Sequence, residues 1–145
     1  RIYLTWTLNH KTSVLKLFKL KSNVLEDVEG IPFQKERDIQ NLIEREDAHV
    51  LVVVVDNKLV GSGYALIKKS APYKNPDHYV YLGFMYIAPE QRGNGLNGAL
   101  IMELVQWAKD HDINEVQLDV YAENKSAIKA YTKLGFKSDL LKMRL

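Results

Sequence analysis

The chain has 145 residues, 46% of them hydrophobic and 26% charged, a profile that suits one folded domain and excludes a disordered tail. It contains no cysteine, which excludes disulfides, thiolate metal sites and a covalent cysteine intermediate. The net charge of +2 is too mild to imply nucleic acid as a partner, and the most apolar stretch, Val50 to Val55, is far short of a membrane span of roughly 20 residues. No signal-peptide pattern is visible, so a cytoplasmic location is expected. No repeat or Pro/Gly-rich linker divides the sequence, which is read as a single domain over residues 1–145.

Arg1 to Thr7 is rich in β-branched and aromatic residues and predicts a first strand. Val14, Leu17, Phe18 and Leu25 recur at helical spacing among Lys11, Lys16, Lys19 and Lys21, predicting a basic amphipathic helix that ends near Asn23. Its lysines read better as a solvated face than as a membrane contact. Gly30-Ile31-Pro32 breaks that pattern, and Ile39, Leu42 and Ile43 mark a second short helix to about Glu46.

Strands dominate the middle. Val50 to Val55 and Leu59 to Ile67 flank the hairpin signal Asp56-Asn57-Lys58. After a loop from Ser70 to Asp77, Tyr79 to Ile87 forms another strand, stopped by Pro89. Leu96, Leu100, Leu104, Trp107, Ala108 and His111 then follow a period of 3.6 and predict a long helix. Val116 to Tyr121 is read as a strand, Asn124 as the N-cap of a helix carrying Ile128, Tyr131 and Leu134, and Gly135 as its stop. Leu140 to Leu145 completes the series as a final strand. The fold class is therefore α+β (mixed α/β), a central mixed, largely antiparallel sheet flanked by helices.

The chemically loudest segment is Gln91-Arg92-Gly93-Asn94-Gly95-Leu96-Asn97-Gly98, between a strand and a helix. Glycines there let backbone N–H groups turn toward an anion without a Cβ in the way, and the helix start adds unpaired donors and partial positive charge. The combination suits a pyrophosphate, with Arg92 as counter-charge. Gly93, Gly95 and Gly98 also spell the dinucleotide pattern, with Asp119 roughly 20 residues later. Against that reading, the glycines do not follow the strand directly, hairpins rather than a βαβ unit precede them, and too little chain follows Asp119 to finish a nucleotide fold.

These residues resemble the GNAT superfamily of acyl-CoA N-acyltransferases. The likeness rests on Arg92-Gly93-Asn94-Gly95-Leu96-Asn97, preceded by Phe84-Met85-Tyr86-Ile87 and Pro89-Glu90. A second block is Leu118-Asp119-Val120-Tyr121-Ala122-Glu123-Asn124, followed by Ala127, Tyr131, Leu134, Gly135 and Phe136. The resemblance implies an acyl-CoA N-acyltransferase-like fold and acetyl-CoA as co-substrate without a metal. It also implies that the strand Met85-Tyr86-Ile87 offers main-chain groups to the pantetheine arm and that Gly93 to Gly98 wraps the pyrophosphate. Asn124 would hydrogen-bond the cofactor, and Tyr131 would sit beside its sulfur. Asn97 departs from the pattern, standing where the family usually has Gly or Ala.

Acyl transfer to an amine needs a neutral nucleophile and a leaving thiolate that can be protonated. The Tyr131 phenol, with a reference pKa of about 10, holds a proton at neutral pH and can give it to the sulfur. Without cysteine, direct attack in a ternary complex is preferred, with a backbone N–H of the Tyr79 to Ile87 strand as oxyanion donor. The base is open between Asp119, Glu90, His78 and a relaying water, with Asp119 the foremost. The acidic run Glu26, Asp27 and Glu29 offers attraction to a cationic amine, although a solvated helix end explains it as well. Tyr73, Tyr79, Tyr81, Phe84 and Tyr86 include candidates for an acceptor pocket. Tyr79 and Tyr81 share one sheet face, and Phe84 and Tyr86 the other. His10, His49, His78 and His111 have no ligand spacing, so no metal is expected. The activity implied is acetyl transfer to a small-molecule or peptide amine, with no nucleic acid or membrane partner and a monomer or homodimer left open. The alternatives are a catalytically silent acyl-CoA-binding domain and a dinucleotide enzyme.

Overall fold

The structure is a computed structural model and describes residues 6–10, 13–19, 42, 45–55, 58–74, 76–93 and 95–145. Among the described residues six strands form one sheet, and their spatial order is that of the chain. They are β1 (Trp6–His10), β2 (Ser13–Lys19), β3 (Ala48–Val55), β4 (Lys58–Lys69), β5 (His78–Ile87) and β6 (Val116–Leu118). Neighbours run antiparallel as far as β5, whereas β5 and β6 are parallel. Helix α1 (Leu96–Asp110) makes the crossover that a parallel pair requires, and α2 (Lys125–Lys133) follows β6. Among the described residues no helix is long and apolar enough to cross a membrane.

The core lies between α1 and one face of the sheet. Leu96, Leu100, Ile101, Leu104 and Ala108 come from one stripe of α1 and are buried. They meet Leu51, Val53 and Val55 of β3, Ala65 of β4 and Val80 and Leu82 of β5, each set alternating along its strand. Each such side chain withdrawn from water contributes about 1.5–3 kcal/mol, so this layer supplies much of the folding free energy. Val50 and Val52 are buried on the other face of β3. At the far end of α1, Trp107 stacks on His49 of β3 at 5.5 Å and meets His111 at 4.3 Å, which ties the helix end to the sheet. Two of the four histidines are thus aromatic neighbours of Trp107, and among the described residues no three metal-ligating side chains cluster.

The predicted strands over 50–55, 59–67 and 79–87 are present with slightly wider bounds, and Val55 pairs directly with Lys58 as the hairpin requires. The helix from Leu96 and the Asn124-capped helix are also present. Four expectations need correction. Ser13–Lys19 is a strand, not part of a basic helix: its backbone pairs with β1 on one side and β3 on the other. A short apolar segment satisfies either period, and partners distant in sequence decide which one forms. The first strand, described over Trp6–His10, continues past the predicted end at Thr7, and residues 1–5 lie outside the described residues. The strand after α1 stops at Leu118 instead of Tyr121. Leu140 to Leu145 form no strand: among the described residues none pairs with their backbone, and Leu140 is 91% exposed. Of the short helix predicted around Ile39 to Glu46, Leu42 is helical and Arg45 has already left the helix; the rest lies outside the described residues.

Leu100 is fully buried at 0% exposure, while Met102 on the opposite side of α1 is 54% exposed. Leu100→Ala is expected to cost about 2–5 kcal/mol and Met102→Ala less than about 0.5 kcal/mol, measured as shifts in the urea midpoint at constant m-value.

Candidate active site

β5 and β6 share the register pairs Val80↔Val116, Tyr81↔Gln117 and Leu82↔Leu118 and then separate. β6 ends at Leu118, whereas β5 continues through Gly83 to Ile87. A gap therefore opens beside the second half of β5. The β4–β5 pairing is irregular at the same place: Tyr64 faces Gly83 and Ser62 faces Tyr86, so β5 carries one extra residue and bulges. The bulge changes which groups look into the gap. Before it, Val80 N–H donates to the Glu115 carbonyl on the β6 side at 2.9 Å. After it, Ala88 N–H donates to the Val60 carbonyl at 2.7 Å. By alternation, Met85 and Ile87 turn their main-chain groups away from β4 and toward the gap.

The bulge moves side chains as well. A Cβ at Gly63 would stand 2.7 Å from Met85 Sδ and 3.3 Å from Leu100 Cδ2, and one at Gly61 would stand 2.8 Å from Ile87 Cδ1. Met85 and Ile87 hence face α1, and Tyr86 between them turns to the opposite face. This corrects the predicted split of the tyrosines, since Tyr86 joins the face of Tyr79 and Tyr81 rather than opposing it. Gly83 inside a strand was the available sign of a bulge. Its missing Cβ is required, because the Tyr64 ring occupies that space. Tyr73, in the 70–77 loop, is 86% exposed.

β5 leads through a 3₁₀ turn at Pro89–Gln91 into the glycine loop. Gly93 and Gly95 have φ of +82° and +77°, left-handed values that disfavour any side chain, and nothing lies within 4 Å of either missing Cβ. Gly95 is the N-cap of α1 and no side chain caps the helix, so the N–H groups of its first turn are left to face outward. Arg92 Nε donates to the Ile87 carbonyl at 2.9 Å, which fastens the loop to the end of β5. Asn94 lies outside the described residues.

Asn124 caps α2 as predicted, its Oδ1 accepting from Ala127 N–H at 3.3 Å, which leaves its Nδ2 to reach a ligand. Tyr131 is half-buried on α2, with its ring edge-on to Phe136 at 5.9 Å. It packs against the core layer that includes Leu96 and Leu100, so the structure brings the predicted acid to the helix that opens the glycine loop. Burial pushes the phenol above the usual tyrosine value, while the amide of Asn97 works against that rise.

Asp119 stands just past Leu118, next to the point where the strands part. Its Oδ2 accepts a hydrogen bond from Tyr81 Oη at 3.0 Å, on the sheet face opposite α1. Burial, then this bond, push the Tyr81 phenol well above its ordinary value, and burial, then the charge of Asp119, raise that of the neighbouring Tyr64. Lys68 Nζ lies 4.5 Å over the Tyr81 ring. The other base candidates are elsewhere: His78 opens β5, about 17 Å along the strand from Gly83, and Glu90 is exposed on the 3₁₀ turn. Glu26, Asp27 and Glu29 lie outside the described residues. Tyr81, which holds Asp119, was visible in sequence only as an aromatic strand residue.

A sequence profile of the Acetyltransferase (GNAT) family matches residues 15–136. An aminoglycoside N(6')-acetyltransferase type 1 from Stenotrophomonas maltophilia is 28% identical over 100 residues, 67% of this chain and 64% of that protein. A thialysine N-epsilon-acetyltransferase from Sus scrofa is 34% identical over 56 residues, 39% of this chain and 33% of that protein. The chain thus matches less than two thirds of the length of these curated relatives. Among solved structures, the aminoglycoside N-acetyltransferase AAC(6')-Iy in complex with CoA superposes with a TM-score of 0.77 at 18% identity, covering 95% of this chain and 99% of that one. The fold, the strand gap, the glycine loop and the profile match agree: the chain belongs to the Acetyltransferase (GNAT) family.

Proposed function

We propose that residues 1–145 form one N-acetyltransferase domain that moves an acetyl group from acetyl-CoA to a small-molecule or peptide amine by direct attack in a ternary complex. The observation that carries this reading is the second half of β5, which among the described residues has no strand partner on its β6 side, running into a loop of open, left-handed glycines. The residues suit acetyl-CoA. Met85 and Ile87 turn main-chain groups to the gap, where an amide-bearing arm can pair as an added strand. The loop from Arg92 through Gly93, Asn94, Gly95, Leu96, Asn97 and Gly98, at the α1 N-terminus, suits a diphosphate, and the Asn124 amide lies across the gap on α2.

Each proton then has a place. The amine nitrogen bonds to the thioester carbonyl carbon as the carbon–sulfur bond breaks, and Tyr131 gives its phenolic hydrogen to the departing sulfur. Asp119 takes the proton released by the amine, directly or through water, with its carboxylate oriented by Tyr81. A main-chain N–H at the β5 bulge stabilises the oxyanion. Acid and base approach the gap from different sides: Tyr131 packs on the α1 side and Asp119 bonds Tyr81 on the other.

The direct test is thiol release from acetyl-CoA against a panel of amines, together with calorimetry of acetyl-CoA binding. Binding without release with any amine would support a silent acyl-CoA-binding domain instead. Tyr131→Phe is expected to lower kcat by about 100-fold or more while leaving acetyl-CoA affinity within a few-fold. Turnover of the parent protein should decline only as pH rises beyond the ordinary tyrosine range, since the phenol must stay protonated and burial raises it; Tyr131→Phe should abolish that decline. Gly95→Ala, which puts a Cβ on a residue at φ +77°, should weaken acetyl-CoA binding at least tenfold in the same calorimetry. Asp119→Asn should cut kcat/KM for alkylamines about tenfold and much less for acceptors already neutral at the assay pH.

A further inference from the structure

We propose that the sheet face opposite α1 selects an acceptor that carries a carboxylate besides its amine, with Lys68 as the residue that receives the carboxylate. The inference rests on the reading of Asp119 as the base and deepens it by naming the acceptor class. Tyr64, Leu66 and Lys68 of β4 alternate with Ala65 and Ile67, which pack toward α1, so the first three share the opposite face. Tyr81 of β5 joins them: its ring lies 6.3 Å from that of Tyr64, and Lys68 Nζ stands 4.5 Å from its centre. The hydroxyl of the same ring donates to Asp119 Oδ2 at 3.0 Å. One phenol therefore carries a cation over its ring and a carboxylate at its hydroxyl. Tyr64 extends this aromatic floor to the bulge, where its ring takes the space of the Cβ that Gly83 lacks.

Lys68 is available to a ligand. It is exposed, and among the described residues the only ion pair joins Arg45 and Asp47, so the Lys68 ammonium meets a ring and no carboxylate. A cation over a ring at an exposed site is held weakly, and a carboxylate offers it stronger, charge-assisted hydrogen bonds. Asp119 has the opposite sign and stands where β5 and β6 part. An acceptor with an amine at one end and a carboxylate at the other fits in one orientation. Its amine meets Asp119 beside the gap, its chain lies on the rings of Tyr64 and Tyr81, and its carboxylate reaches Lys68. Reversal would set like charges together at both ends. A plain alkylamine lacks the contact with Lys68, and a diamine brings a second ammonium against it. The class that fits is an ω-amino carboxylate.

The test compares thiol release from acetyl-CoA with 6-aminohexanoate, hexylamine and 1,6-diaminohexane, acceptors of one chain length that differ at the far end. The parent protein is expected to favour 6-aminohexanoate over hexylamine about tenfold in kcat/KM, mainly through KM, and to use the diamine worst. Lys68→Met keeps an apolar stem over the ring but removes the charge, and should bring that preference to within about twofold. Lys68→Arg should restore the preference, and Lys68→Glu should make the diamine the best of the three. Calorimetry of 6-aminohexanoate against the CoA-saturated protein reads the same contact without turnover, with affinity expected to fall about tenfold in Lys68→Met. A parent protein without the preference, or a preference that survives Lys68→Met, overturns the inference. The acetyl-transfer reading fails separately, if no amine releases thiol; the calorimetric comparison then decides the Lys68 contact by itself.

Discussion

Parallel strands that pair and then separate leave main-chain donors and acceptors which something other than the sheet must satisfy. In this chain the separation follows Leu82 and Leu118, and everything in the site is arranged around it. The bulge at the same level bends β5 and changes the parity of its residues, so the exposed groups become those of Met85 and Ile87. Arg92 takes the last of these carbonyls and thereby fixes where the glycine loop begins. Without the gap, the loop would be an anion site on a helix end and nothing more.

The second constraint is the meeting of the two helices. α1 is anchored along its length by Leu96, Leu100, Ile101, Leu104 and Ala108, and at its far end by the stacking of Trp107 on His49. α2 has no buried residues of its own and depends on α1 for its position, through Leu134 near Gly98 and Asn97 near Tyr131. A half-buried phenol next to a rigid helix end has a defined direction, which one on an exposed surface lacks. On the other face of the sheet, Tyr81 performs a comparable service for Asp119. Tyr131 thus packs on the α1 face of the sheet, and Asp119 bonds a side chain of the opposite face.

The legible parts of the site were local ones. The glycine loop, the start of α1 at Leu96 and the Asn124 cap each depend on a few adjacent residues, whose conformational preferences are set by their own side chains or lack of them. The Tyr81–Asp119 bond was not legible, because it joins residues brought together only by the parallel pairing of β5 and β6. Nor was the face occupied by Tyr86: simple alternation assigns it correctly only if no extra residue intervenes, and Gly83 was the single hint that one does.

Ser13–Lys19 and Leu140–Leu145 show the same division in opposite senses. The first has a helical spacing of apolar residues and is a strand, because β1 and β3 supply partners on both edges. The second has a strand-like composition and forms none, because among the described residues no strand pairs with it. The sequence by itself determined where the chain turns, caps its helices and leaves main-chain N–H groups open to an anion, since these are matters of backbone freedom within a few residues. Tertiary structure alone decided which strands pair, where β5 and β6 part and which side chain reaches Asp119, since hydrogen bonds between distant segments exist only once packing has placed those segments side by side.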